Sequence, residues 1–274
     1  MKYDLFCSDF DGTLAASDNT VSQTNKNAIA RYLQAGGIFA VCTGRSLDSA
    51  LPRAREAGLT QGLLIAFQGA TIADIATGKL LKDDCFPPER ALKAIRAMEK
   101  RNLHVHVYTV EGFYSNMQDD LLALYEKVCG VTAEVVTKEP LSDFVKNRAL
   151  RIVKVLAMVQ PPQRHALREE LARELSGDYF VTCSSEWLVE IMPAGQNKGA
   201  AVDFLSEYYK IPKEKIAAIG DQLNDLPMLE HAGGKFAVQN GQEELKKIAV
   251  TVSSNDENGV AEAILKYAME IVEG

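Results

Sequence analysis

Residues 6 to 14 read Phe-Cys-Ser-Asp-Phe-Asp-Gly-Thr-Leu, and they place two carboxylates, Asp9 and Asp11, one residue apart where an apolar strand gives way to a glycine turn. On an extended segment the side chains at i and i+2 point the same way, so the two charges repel each other. A divalent metal together with a phosphorylated substrate offsets that repulsion, with one carboxylate as nucleophile and metal ligand and the other as proton donor. The structural alternative is an Asx turn, in which Asp11 bonds local backbone and Gly12 relaxes the chain.

Outward from this stretch, strands alternate with helices. Tyr3 to Ser8 is a largely apolar strand of the kind buried in parallel sheets. Thr20 or Ser22 caps a helix in which Ala28, Ile29 and Leu33 recur at helical spacing, ended by Gly36-Gly37. A strand to Cys42, a helix through Leu51 and Ala54, a strand at Leu63 to Phe67 and a short hairpin around Thr77-Gly78 follow. The pattern then changes. Pro87-Pro88-Glu89 opens a helix with Leu92, Ile95 and Met98 on one face, and His104 to Val110 alternates as a half-buried strand. A second set places strands at Leu150 to Val159 and Asp178 to Thr182 around a helix from Pro161 to Leu175. From about Val189 the buried-strand and helix rhythm returns. The reading predicts an α/β fold: a doubly wound parallel-sheet core, residues 1–83 and 188–274, carrying an inserted α+β domain at 84–187.

Three later segments join the opening one. Thr43-Gly44-Arg45 follows the apolar run Ile38-Phe39-Ala40-Val41-Cys42, Lys198 lies in Gln196-Asn197-Lys198-Gly199, and Gly220-Asp221-Gln222-Leu223-Asn224-Asp225 follows the strand Ile216-Ala217-Ala218-Ile219. Loops after parallel strands converge at the carboxyl edge of an open sheet, where such folds bind ligands. In this order the four segments resemble the signatures of the haloacid dehalogenase superfamily of phosphotransferases. The likeness is greatest to Cof-type hydrolases of subclass IIB, because the tail fits as well: Val238-Gln239-Asn240, then Asn255-Asp256-Glu257-Asn258-Gly259-Val260-Ala261. Essentially the whole chain is covered, with the middle third matching in length and pattern.

The resemblance implies a Rossmann-like core with a C2B-type cap over the active site, and a phosphatase using Mg2+. Asp9 is then the nucleophile and forms an aspartyl phosphate, while Asp11 is the acid and base. The metal ligands implied are Asp9, Asp11 through its carbonyl, and Asp221, with Asn224 and Asp225 holding metal-bound waters or Lys198 from behind. The phosphoryl oxygens would be cradled by Phe10, Asp11, Thr43, Gly44 and Lys198. Helix N-capping is the structural alternative for Asp221 and Asp225, and Asp221 lies too early to cap well. A lysine in the first turn of a helix opposes the helix dipole by a few tenths to ~1 kcal/mol, so Lys198 is poorly explained as structure and well explained facing phosphate. Gln68-Gly69-Ala70 stands where Cof-type chains usually have asparagine before Gly-Ala, and Gln222 replaces the common glycine of the acidic loop. These departures bear on substrate choice and loop geometry.

Candidate contacts to the organic part of the substrate are Arg45, His106, Arg151 and Lys154, each with a surface position or ion pair as its alternative. A small phosphorylated metabolite, a sugar phosphate above all, is the expected substrate. A phosphomutase of the phosphomannomutase type is the enzymatic alternative, and a binding protein that has lost the chemistry is the non-enzymatic one.

The remaining composition narrows the class. A chain of 274 residues can bury a substantial core. A net charge of -7 and a pI near 5.3 argue against nucleic acid or an anionic membrane as partner. No apolar run approaches the ~20 residues that span a bilayer, and Met1-Lys2-Tyr3-Asp4 starts a strand rather than a signal peptide. The expectation is a cytoplasmic monomer or small homo-oligomer. Five cysteines without C-x-x-C spacing read as buried thiols, and His104, His106, His165 and His231 form no metal-ligand spacing.

Overall fold

The structure is a computed structural model that describes residues 1–269. Its strands, in chain order, are β1 (Leu5–Asp9), β2 (Ile38–Cys42), β3 (Leu63–Ala66), β4 (Thr71–Asp74), β5 (Leu80–Asp83), β6 (His104–Tyr108), β7 (Phe113–Ser115), β8 (Glu134–Val135), β9 (Lys154–Met158), β10 (Tyr179–Ser185), β11 (Leu188–Pro193), β12 (Ile216–Gly220), β13 (Gly234–Val238) and β14 (Val250–Val252). Two compact units divide the chain. The first comprises Met1–Thr43, Ala50–Lys82 and Asn197–Gly274, the second Gly44–Ser49 and Asp83–Gln196.

All five side chains of β1 are buried, which demands a central place with a covered face on either side. The first unit supplies it in an eight-stranded sheet of order β14-β13-β12-β1-β2-β3-β4-β5. The ladder is parallel from β14 to β3, with Leu5 opposite both Ile216 and Ile38, and it turns antiparallel at β4, where Leu63 faces Asp74. Successive strands run outward from β1 to β3 on one side, and the chain returns to β12 on the other. The order therefore reverses between β1 and β12, the kind of switch point at which loops part to leave a crevice at the carboxyl edge. Cys7, Ala40, Ile65 and Ala218 pack on one face against Val202, Leu205 and Met228. On the other, Phe6 stacks between Phe39 and Phe236 at centroid distances of 6.1 and 6.2 Å. The first helix begins where Ser22, not Thr20, accepts from the Asn25 amide at 3.1 Å.

The second unit is α+β, with a sheet of order β10-β11-β9-β6-β7-β8. Helix Pro88–Glu99 buries Leu92, Ile95 and Met98 as its spacing predicts, in one core with Val105, Val107, Val155 and Ile191. Two features differ from the sequence reading. Strand β11 belongs to this sheet, pairing antiparallel with β9 and β10, so the first unit resumes at Asn197 rather than near 188. Leu188-Val189-Glu190-Ile191-Met192 is apolar enough to pass for a parallel core strand, and periodicity cannot separate the two. Strand β6 is buried at all five positions rather than half-buried, because its polar residues find partners inside the unit. Among the described residues no helix is long and apolar enough to cross a membrane, and none of the five cysteines is joined in a disulfide, Cys7 and Cys42 being buried and the others partly so.

Candidate active site

Strand β1 ends at Asp9, which lies opposite Cys42 in the register with β2, so Thr43 follows one residue beyond it. Thr43 is buried and donates its amide to Ile65 O at 2.8 Å, which carries the end of β3 to the same edge. After Asp9 the chain turns sharply: Leu14 and Ala15 both donate to Phe10 O, and Gly12 takes a φ of 82° that favours glycine. The turn is pinned from outside. Thr13 Oγ1 donates to Asp221 Oδ1 at 2.8 Å, and Asn240 Nδ2 donates to Gly12 O at 2.8 Å. Neither Thr13 nor Asn240 was assigned a role from sequence. Thr13 stands beside the paired aspartates, but its partner lies 208 residues away, beyond any local signal.

Lys198 opens the helix Lys198–Tyr209, which Asn197 caps by accepting from the Ala200 amide at 2.9 Å. Its ammonium is wholly buried and bonds Asp9 Oδ1 and Asp225 Oδ1, each at 2.5 Å. Burial works against that charge, yet Asp225 and Asp9 outweigh it and hold the lysine pKa above the ordinary amine range. Asp225 spends its second oxygen on the backbone, accepting from the amides of Asp221 and Gln222 at 2.9 and 3.0 Å. Asp225 makes no side-chain cap bond to the helix from Leu226; it closes the preceding turn that starts at Gln222 and bonds Lys198. Asp221 does not cap. It accepts from Thr13 and from Gln222 Nε2.

The electrostatics of this cluster call for a cation. Burial, then the Asp225 charge, push the Asp9 carboxyl well above the usual range despite Lys198, and burial raises Asp221. Asp9 and Asp221 also bring carboxylate oxygens within 4.8 Å of each other, where the like charges repel unless a proton or a cation offsets them. Asp9, Asp221 and Asp225 each offer an oxygen within 4.8 Å of the others. The Lys198 ammonium bonds two of those three carboxylates and balances one charge of the three, so a divalent cation would neutralise the remainder. The donors are all hard oxygens, which fits magnesium. Asp225 is tied down by two backbone amides and the Lys198 ammonium, whereas the oxygens of Asp221 accept from two neutral side chains, Thr13 and Gln222, which can turn away, so Asp9 and Asp221 are the carboxylates better placed to ligate.

Asp11 is half-buried, its backbone bridging to Ala15, and its side chain lies outside that carboxylate cluster. Phe10 is buried. Asn224 donates to Gln68 Oε1 at 3.3 Å. Gly44 and Arg45 open the segment grouped with the second unit. The other substrate candidates have partners inside that unit. His106 is wholly buried among Phe113, Tyr125 and Tyr108, its Nε2 3.2 Å from His104 Nε2. Lys154 is buried in an ion pair with Glu190 at 2.8 Å, and the exposed Arg151 pairs with Asp83 at 2.8 Å.

Comparison with known proteins agrees with this geometry. The sequence profile of the haloacid dehalogenase-like hydrolases matches residues 6–264. The 5-amino-6-(5-phospho-D-ribitylamino)uracil phosphatase of Bacillus subtilis is 30% identical over 283 residues, spanning 92% of this chain and 94% of its own. A crystal structure from Thermotoga maritima superimposes with a TM-score of 0.87 at 27% identity, covering 98% of each chain. The subclass IIB sugar phosphatase BT4131 shares the fold, with a TM-score of 0.77 over 95% of this chain and 97% of that one at 16% identity.

Proposed function

The chain belongs to the haloacid dehalogenase-like hydrolases and is a phosphoric monoester hydrolase of their phosphatase type, and from that premise we propose that it is a magnesium-dependent phosphatase of small sugar or polyol phosphates, working through a phosphoryl group carried on Asp9. The observation that carries the reading is the position of Lys198 Nζ, 2.5 Å from Asp9 Oδ1 and from Asp225 Oδ1, with Asp221 alongside. A polyol phosphate as substrate is supported by the Bacillus subtilis relative, whose name specifies a phosphoribityl compound.

Lys198 holds one oxygen of Asp9, so the other attacks phosphorus in line with the ester bond. That bond breaks, and Asp11 gives its proton to the departing alkoxide. Asp11 then removes a proton from water as the water attacks the same phosphorus, freeing Asp9 and inorganic phosphate. Thr43 and the amides of the Phe10–Asp11 turn donate to the phosphoryl oxygens, joined by the Lys198 ammonium. Magnesium, held by Asp9, the Asp11 carbonyl and Asp221, would supply charge neutralisation for phosphate entering a carboxylate-lined site. Release of phosphate from a broad panel of phosphorylated metabolites, assayed with and without magnesium, tests the reading. No hydrolysis of any member would defeat it.

A further inference from the structure

The end of β3 is strained where it meets the active-site edge. Phe67, Gln68 and Gly69 take φ angles of 49°, 58° and 112° in succession. Left-handed backbone is costly for phenylalanine and glutamine and persists only where the surroundings over-determine it. They do so here. The Gln68 amide donates to Thr43 O at 3.0 Å, the Phe67 side chain is wholly buried, and Lys82 Nζ donates to Gly69 O at 2.9 Å. A Cβ on Gly69 would stand 2.5 Å from Asn197 O, the residue before Lys198. The turn is thus wedged between the Thr43 loop and the start of the lysine helix.

The Gln68 side chain is oriented as well. Its Oε1 accepts from Asn224 of the acidic loop at 3.3 Å, which leaves the Nε2 amide group with two donors. Among the described residues that group has no protein partner, and Gln68 is only partly buried. We propose that Gln68 is a specificity-determining residue that donates from Nε2 to an oxygen on the organic part of the phosphate ester, favouring hydroxyl-bearing sugar and polyol phosphates over esters without such an acceptor. The inference rests on the phosphatase reading and names which core residue, outside the second unit, reads the substrate. A neutral donor held by Asn224 and a strained backbone discriminates by geometry, since the acceptor must come to it.

The test compares kcat/KM for the fastest sugar or polyol phosphate of the panel with that for p-nitrophenyl phosphate, in the wild type, Gln68→Ala and Gln68→Asn. Alanine should lower the sugar-to-aryl ratio by about tenfold, the order expected for one lost hydrogen bond. Asparagine adopts left-handed backbone more readily, so Gln68→Asn should melt at or above the wild-type temperature while its shorter amide still lowers the ratio several-fold. The asparagine variant carries the test if alanine fails to fold. A wild-type ratio in Gln68→Asn, or a parallel fall on both substrates in Gln68→Ala, would overturn the inference, because either outcome reduces Gln68 to a backbone role. So would a wild-type enzyme that hydrolyses the aryl ester but no sugar or polyol phosphate. Absence of all hydrolysis by the wild type is a separate failure, that of the phosphatase reading itself.

Discussion

Gly12 and Asp221 stand so close that a Cβ built on the glycine would lie 2.7 Å from Asp221 Oδ2, and Gly12 already has a φ of 82°. The turn after the first aspartates and the acidic loop are therefore fitted to each other at the level of single atoms. Gly12→Ala must either displace Asp221 or deform the turn. Half-maximal activation should need roughly 10- to 100-fold more magnesium, the range for disturbed support of a metal ligand, in a magnesium titration of phosphatase activity. An unchanged activation curve would mean that Asp221 does not hold the metal.

Asp9→Asn removes the proposed nucleophile at nearly constant volume. Turnover should fall by at least ~10³-fold, as when one member of a catalytic unit is lost. The melting temperature should hold, because burial and Asp225 disfavour the Asp9 charge and a neutral amide avoids that cost. More than about a tenth of wild-type activity in a clean preparation would rule out the assignment.

Chelation should abolish activity and magnesium restore it, whereas calcium, with its looser coordination, should fail to substitute. The raised Asp9 and Asp221 pKa values set the pH dependence. A carboxyl raised by folding contributes stability below its unfolded pKa and loses it as pH rises through the folded value, so metal-free protein carries this cost at neutral pH. Magnesium should consequently raise the melting temperature more at pH about 7.5 than at pH about 5, and its binding should release protons. Calorimetric titration in buffers of different ionisation enthalpy measures that release, and none detected would speak against metal ligation by these carboxylates.

Lys198→Met would leave Asp9 and Asp225 buried without their ammonium. Breaking a buried pair this way costs roughly 3–5 kcal/mol. The lysine pKa is raised, so its contribution is present below the ordinary amine range and lost above it. The variant's deficit in urea unfolding should be full near pH 7 and shrink toward pH 5, as the orphaned Asp9 carboxyl, already raised by burial, takes up a proton. A deficit independent of pH would indicate lost packing alone.

In the second unit, burial first and then His104 and Lys154 lower the His106 pKa to about 3. A histidine depressed by folding stabilises above its unfolded pKa and withdraws that support as pH falls, at about 1.4 kcal/mol per pH unit below roughly pH 6.5. His106→Phe should flatten the acid limb of the stability profile. Trp187, the sole tryptophan, lies in this unit and is 42% exposed, so its fluorescence reports the transition. Identical acid limbs would place the sensitivity elsewhere.

Much of this site is legible in the sequence because it is built at strand ends. An apolar run followed by Asp-Phe-Asp-Gly-Thr, by Thr-Gly-Arg or by Gly-Asp-Gln declares both a parallel strand and the loop at its carboxyl edge, and parallel topology brings such loops together. Lys198 was legible for the opposite reason: a cation at a helix start is a local cost that calls for a distant anion. Tertiary structure alone decided which groups meet. The bonds of Thr13 to Asp221, of Asn224 to Gln68 and of Lys198 to Asp225 span 208, 156 and 27 residues, and no periodicity encodes a partner at such separations. It also decided burial in the second unit, where His106 and Lys154 look solvent-facing in an alternating strand but are enclosed by Tyr125 and Glu190. Alternation specifies that two faces differ; what covers each face is settled only when the chain packs.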